Sequence, residues 1–182
     1  GTRVLRGVRA KKVDESFLNT FSTPKLPPLA DFSDGVELFD HRLVRRKRTL
    51  SCKPTFDPEV ILLTLNPGLP QRYFDAILDA QPHGIVLRSY GTGMVSDDII
   101  PWLQKVAMKD IPVVFTSQLV RGKVDLHKYR KQLALEQMGV ISGKDMSFEC
   151  ALVKFMWALT QTKSLRRLRD VMEKNLTGEL SE

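Results

Sequence analysis

From residue 60 onward the apolar positions switch repeatedly between a strand-like and a helix-like period. Val60-Ile-Leu-Leu-Thr-Leu is a short apolar run of the kind buried on both faces, and Asn66-Pro-Gly breaks it. Tyr73, Phe74, Ile77 and Leu78 then recur at helical spacing. Gly84-Ile-Val-Leu predicts a second strand. Ser96 is placed to cap a second helix, with Asp97 and Asp98 in the first turn where the helix dipole favours them. Ile99, Trp102, Leu103 and Val106 form that helix's apolar face. Ile111-Pro-Val-Val-Phe reads as a third strand, with Pro112 near its start where a missing donor is tolerated. A helix over 129–138 and a short strand at Val140-Ile141 follow. Ser147 caps the next predicted helix, whose buried stripe is Phe148, Ala151, Leu152, Phe155 and Leu159. The last helix turns Leu165, Leu168 and Met172 inward and Arg166, Arg167 and Asp170 outward. Strands alternating with helices in this way predict an α/β fold. It is a Rossmann-like parallel sheet of about four strands, with helices on both faces.

The first part of the chain has no such rhythm. Residues 1–12 are basic and short of large apolar side chains, and Phe21-Ser-Thr-Pro-Lys-Leu-Pro-Pro-Leu-Ala is punctuated by prolines that disfavour helix. It reads as a linker or an extended arm, loosely held. Residues 36–50 suggest a hairpin with Asp40-His41 at its turn. The expected division is therefore 1–35 as linker and end of a preceding domain, and 36–182 as the α/β domain.

Composition narrows the function classes. With 42% hydrophobic and 27% charged residues, the chain suits a globular domain with a real core. No apolar run approaches the roughly 18 residues of a membrane span, so no membrane partner is expected. The net charge of +7 draws partly on Arg42-Leu-Val-Arg-Arg-Lys-Arg48. That run lacks interleaved aromatics for base stacking and reads as a solvated strand or hairpin face, so nucleic acid is not expected as a partner. Cys52 and Cys150 have no metal-ligand spacing, and reduced thiols in the cytoplasm are expected.

Ligands of open α/β sheets bind beyond the carboxyl ends of the strands. Those ends are polar here: Asn66-Pro-Gly, Arg88-Ser-Tyr-Gly-Thr-Gly, Thr116-Ser-Gln and Ser142-Gly-Lys-Asp145. Arg88, directly after an apolar run, calls for a carboxylate, either from a ligand or from a structural acid. Gly91-Thr-Gly93 fails the dinucleotide fingerprint, since G-x-G-x-x-G needs glycine where Ser96 stands. Thr116, Ser117 and Gln118 suit capping of the loop backbone. His41, His83 and His127 lie far apart in predicted loops, and no metal site is predicted.

Taken in order, Gly7-Val-Arg-Ala-Lys-Lys-Val, Phe21-Ser-Thr-Pro-Lys-Leu-Pro-Pro-Leu, Leu87-Arg-Ser-Tyr-Gly-Thr-Gly and Phe115-Thr-Ser-Gln resemble cytoplasmic-type L-asparaginases. So do Gly122-Lys-Val-Asp, the run from Gly139 to Lys154, and Asn175-Leu-Thr-Gly-Glu-Leu. The resemblance is to the C-terminal domain. It implies hydrolysis of L-asparagine to L-aspartate and ammonia, without metal or organic cofactor, by a threonine nucleophile in an N-terminal catalytic domain. Neither Thr-Gly-Gly-Thr nor Gly-Thr-Asp-Thr occurs here, so no catalytic residue is expected in this chain and none of the amide chemistry is expected from it alone.

The same resemblance implies a homodimer or homotetramer and a pocket for L-asparagine as effector or substrate. Arg88 matches an arginine of that pocket, Ser117 stands where relatives have threonine, and Tyr90, Thr92 and Gln118 line the same strand tips. Met94 replaces an asparagine common after the glycine turn, which weakens polar contact from that loop, and Lys25 replaces asparagine in the linker. Two alternatives stand beside it: an asparaginase-like subunit of a tRNA-dependent amidotransferase, favoured by the basic surplus, and a stand-alone module binding a small amino acid.

Overall fold

The computed structural model describes residues 1–41, 43 and 52–181. Most of the basic run at 42–48 and the second half of the expected hairpin lie outside the described residues. The chain forms two compact units: Gly1–Lys53 with Asn175–Glu182, and Pro54–Lys174.

The first unit is built from very short strands: β1 (Arg3–Val4), β2 (Lys11–Lys12), β3 (Phe21–Ser22), β4 (Ala30–Asp31) and β5 (Glu37–Leu38). β4 lies between β1 and β5, antiparallel to both, while β2 pairs only with β3. Asp40 and His41 do form a turn, but Glu37–Leu38 pairs backward with Ala30–Asp31. The arm expected to lie loose is instead tied to the chain's other end. Buried Arg9 donates through Nε to Gly178 O at 2.8 Å, and Arg6 donates to Thr177 O at 3.1 Å. Such links span most of the chain length, so no local pattern announces them.

The second unit carries the α/β fold. Its elements are β6 (Val60–Thr64), α1 (Gln71–Asp79), β7 (Gly84–Ser89), α2 (Ile100–Met108), β8 (Val113–Ser117), α3 (Arg130–Gln137), β9 (Ile141–Ser142), α4 (Phe148–Gln161) and α5 (Leu165–Glu173). The sheet has the order β6-β7-β8-β9 with every pair parallel. Each crossover holds a helix and every step moves the same way. Right-handed connections therefore put α1, α2 and α3 on one face. Ile85, Leu87, Val113 and Phe115 meet Phe74, Leu78, Trp102, Leu103, Val106 and Leu135 there. Trp102 donates from Nε1 to Phe74 O at 2.9 Å, which satisfies the one polar atom of the largest buried side chain.

Helices α4 and α5 come after the last strand and cover the other face. Alternation along β7 turns Gly84, Val86 and Arg88 that way. A Cβ on Gly84 would sit 2.5 Å from the Phe155 ring, so glycine there lets α4 approach the sheet. Ser147 caps α4 by accepting the Cys150 N–H at 3.2 Å.

Local differences from the pattern have local causes. Pro112 gives β8 a later start than Ile111, and its carbonyl accepts the Ile85 N–H at 3.0 Å. Ser96 takes the N-cap position of a 3₁₀ turn, Asp97–Ile99, without a side-chain cap bond. The α4 stripe is Ala151, Lys154, Phe155, Ala158 and Leu159, with Leu152 only half-buried. Leu165 opens α5 at 46% exposure, leaving Leu168 and Met172 to anchor that helix.

Candidate functional site

In a doubly wound sheet the binding crevice opens where consecutive crossovers diverge. Here the strand order runs one way throughout, so the sheet has no such point. What its carboxyl edge presents is decided by the parity of the last strand residues and by the loops after them.

Arg88 pairs in register with Thr64 on one side and Thr116 on the other. Its Nη1 lies 3.4 Å from Thr64 Oγ1, a long and weak hydrogen bond. Its Cζ sits 4.1 Å from the centre of the Phe148 ring, at the first residue of α4. Among the described residues no carboxylate pairs with it, and its Nε is buried without an acceptor. A cation stacked at a helix N-terminus adds to the positive end of the dipole there, where Glu149 already occupies the first turn of α4.

The loop that follows is closed by a reciprocal pair, Tyr90 N–H to Met94 O at 2.9 Å and Met94 N–H to Tyr90 O at 2.8 Å. Gly91 (φ +49°) and Gly93 (φ +109°) make the turn in the left-handed region. Thr92 belongs to the scaffold of this loop: Gln132, fully buried on α3, donates to Thr92 O at 2.7 Å, as does the Asp125 N–H at 2.9 Å.

Ser117 points to the face opposite Arg88. Its hydroxyl donates to Gly91 O at 2.6 Å and accepts the Leu119 N–H at 3.1 Å. Gln118 Nε2 donates to Leu65 O at 2.7 Å and Arg88 O at 3.0 Å, fastening the ends of β6 and β7 together. Of the five residues matched to the effector pocket, Arg88 keeps unused hydrogen-bonding capacity at a buried atom. Ser117, Gln118 and Thr92 hold the loops that frame it, and Tyr90 closes its own turn.

Thr116, read from the sequence with Ser117 and Gln118 as a cap for the loop backbone, does not act as one. It is the residue opposite Arg88 on the same face, fully buried, and its Oγ1 has no hydrogen-bond partner among the described residues. Strand parity was the available signal: the neighbour of Arg88 on one face is Thr116 once the register is known, and Ser117 belongs to the other. The histidines lie elsewhere. His83 pairs with Asp57, His127 with Glu136, and His41 with Pro27 O. Among the described residues no three His, Cys, Asp or Glu side chains are grouped to hold a metal ion.

Comparison with known proteins gives this geometry a context. The L-asparaginase of Thermococcus kodakarensis is 35% identical over 187 residues, covering 98% of this chain and 55% of that protein. A glutamyl-tRNA(Gln) amidotransferase subunit from Aeropyrum pernix is 35% identical over 181 residues, covering 97% of this chain and 42% of that protein. A solved structure of the Thermococcus kodakarensis L-asparaginase superposes with a TM-score of 0.89 at 33% identity, over 100% of this chain and 56% of that one. The chain thus spans about half the length of the curated relatives it matches. Residues 59–172 match the sequence profile of the glutaminase/asparaginase C-terminal domain and contain the whole parallel sheet, its helix caps and Arg88. By sequence and by fold, the chain belongs to the glutaminase/asparaginase C-terminal domain family.

Proposed function

We propose that this chain is the C-terminal, effector-binding and oligomerising domain of a cytoplasmic L-asparaginase. Residues 1–35 are then the end of a catalytic N-terminal domain and the linker out of it, and residues 36–182 the domain itself. The Arg88 guanidinium carries the reading: it has no acid partner among the described residues and a buried Nε with no acceptor. Its ligand is the carboxylate of L-asparagine. Phe148 lies against the guanidinium, its ring centre 4.1 Å from Cζ.

In the complete enzyme, Arg88→Lys is expected to flatten sigmoidal dependence of rate on asparagine while leaving the threonine chemistry intact. Lysine keeps the charge and loses the planar fork, a difference of about 1.5–3 kcal/mol for a charged hydrogen-bonded pair. An unchanged sigmoidal curve, or collapse of the unliganded protein, would make Arg88 structural.

A second reading has equal support among the relatives: the asparaginase-like subunit of a glutamyl-tRNA(Gln) amidotransferase. The charge of +7 favours it. Ammonia release from free L-asparagine by the complete polypeptide alone selects the asparaginase. Release from an amide only in the presence of charged tRNA selects the amidotransferase. The 182-residue chain by itself is expected to release no ammonia above a heat-killed control.

A further inference from the structure

We propose that Thr116 is the second polar contact of the Arg88 pocket, its hydroxyl donating to an oxygen of the same carboxylate. The inference rests on the reading of Arg88 as a carboxylate site and adds a residue to it.

A buried threonine hydroxyl ordinarily finds an acceptor, most often a nearby backbone carbonyl, because leaving it unmade costs about 1–3 kcal/mol. Thr116 is completely buried and its Oγ1 has no partner among the described residues. Its strand neighbour Arg88, in register on the same face, has a buried Nε in the same condition. The two residues stand on adjacent strands whose backbones are about 5 Å apart, so their side chains rise side by side from one face of the sheet.

Their chemistry narrows what that group is. Arginine Nε–H can only donate, and it forms with Nη2 the side-on fork that receives a carboxylate. A threonine hydroxyl beside it supplies a further donor. The donor-only guanidinium requires an acceptor oxygen, and the hydroxyl can turn to donate to the same group, so an ammonium does not fit between them.

Phe148 at the start of α4 packs over the guanidinium, which brings the N-terminus of a fourteen-residue helix, with Glu149 in its first turn, to the same place. Gly143, in the loop before α4, lets that loop pack directly on β8: a Cβ there would stand 3.2 Å from Thr116 Cγ2 and 2.6 Å from Phe115 O. The loop is therefore drawn tight against the methyl of Thr116, which fixes the threonine while its hydroxyl stays unused.

The test is calorimetric titration of the 182-residue chain with L-asparagine and with L-asparagine amide, whose α-carboxylate is blocked, alongside thermal melts. Wild type should bind the first and not the second. Thr116→Val should weaken L-asparagine by about tenfold or more, the loss of one hydrogen bond to a charged group. Its melting temperature should hold or rise, because the variant removes an unsatisfied hydroxyl. Thr116→Ser should keep the affinity. Unchanged affinity in Thr116→Val overturns the role of Thr116 and leaves the Arg88 reading standing. So does an affinity loss in Thr116→Val that Thr116→Ser shares. Absence of wild-type binding, or binding insensitive to Arg88→Lys, overturns the Arg88 reading itself.

Discussion

Asp57 shows how one residue's chemistry is set by neighbours distant in sequence. Burial alone would raise its carboxyl. The hydrogen bond from His83 Nδ1 at 2.9 Å, the Glu59 N–H, and the charges of His83 and Lys163 together bring it below its ordinary 3.8. A carboxyl depressed in the folded state adds stability above its unfolded pKa and loses it as pH falls through the folded value. The window therefore opens near pH 3.8 and extends downward. Asp31, in the other unit, is lowered to about 2 by Ser33, through its hydroxyl and its N–H, and by Arg3, so it acts in the same direction. Urea unfolding at pH 6 and pH 3 should show wild type losing more stability than Asp57→Asn does. Equal losses would show that the pair with His83 carries no pH dependence.

At the scale of elements, α5 depends on lysines from outside it. Lys154, buried on α4, donates from Nζ to Met172 O at 2.9 Å and Lys174 O at 2.6 Å, while Lys144 donates to Glu173 O at 3.1 Å. Ammonium groups on the last carbonyls of a helix satisfy acceptors that have no intrahelical partner and complement the dipole. Lys154→Met keeps the stem's volume and removes those bonds, so it should cost about 1–3 kcal/mol. Hydrogen exchange should accelerate in the last turn of α5, and denaturant melts give the energy. A wild-type melting curve for this variant would show the carbonyls to be satisfied without the lysine. Lys144 itself sits at φ +48°, a conformation costly for a side-chain-bearing residue, in the tight loop that brings Gly143 against Phe115 and Thr116.

On the scale of the whole chain, the two units differ in what holds them. The second has an apolar core cluster on the α1–α3 face of its sheet and buried apolar residues on the other, while the first relies on two-residue strands and on Arg6 and Arg9 reaching the last residues. Phe17 is 70% and Leu18 97% exposed in the loop between β2 and β3. Limited proteolysis should therefore cut first within residues 13–20, followed by mass spectrometry of the products. Early cleavage within 140–159, the segment carrying β9 and most of α4, would contradict the core described above. No helix among the described residues is long and apolar enough to cross a membrane.

Period and punctuation in the sequence by themselves determined the α/β class, the parallel strands, the helices between them and the Ser147 cap. These are local consequences of which residues bury and which break a pattern. The likeness of Arg88 and its neighbours to asparaginases was legible for the same reason: motif residues stay together along the chain. Tertiary structure alone decided which strand-tip side chains share a face. Register set Thr116, and not Ser117, beside Arg88, and it turned Ser117 and Gln118 into fastenings for the loops. It also decided that a lysine belongs in the α4 stripe, because only carbonyls at the end of another helix make that burial tolerable. Both are matters of pairing between segments far apart in the chain, and a pattern read along the chain holds no record of them.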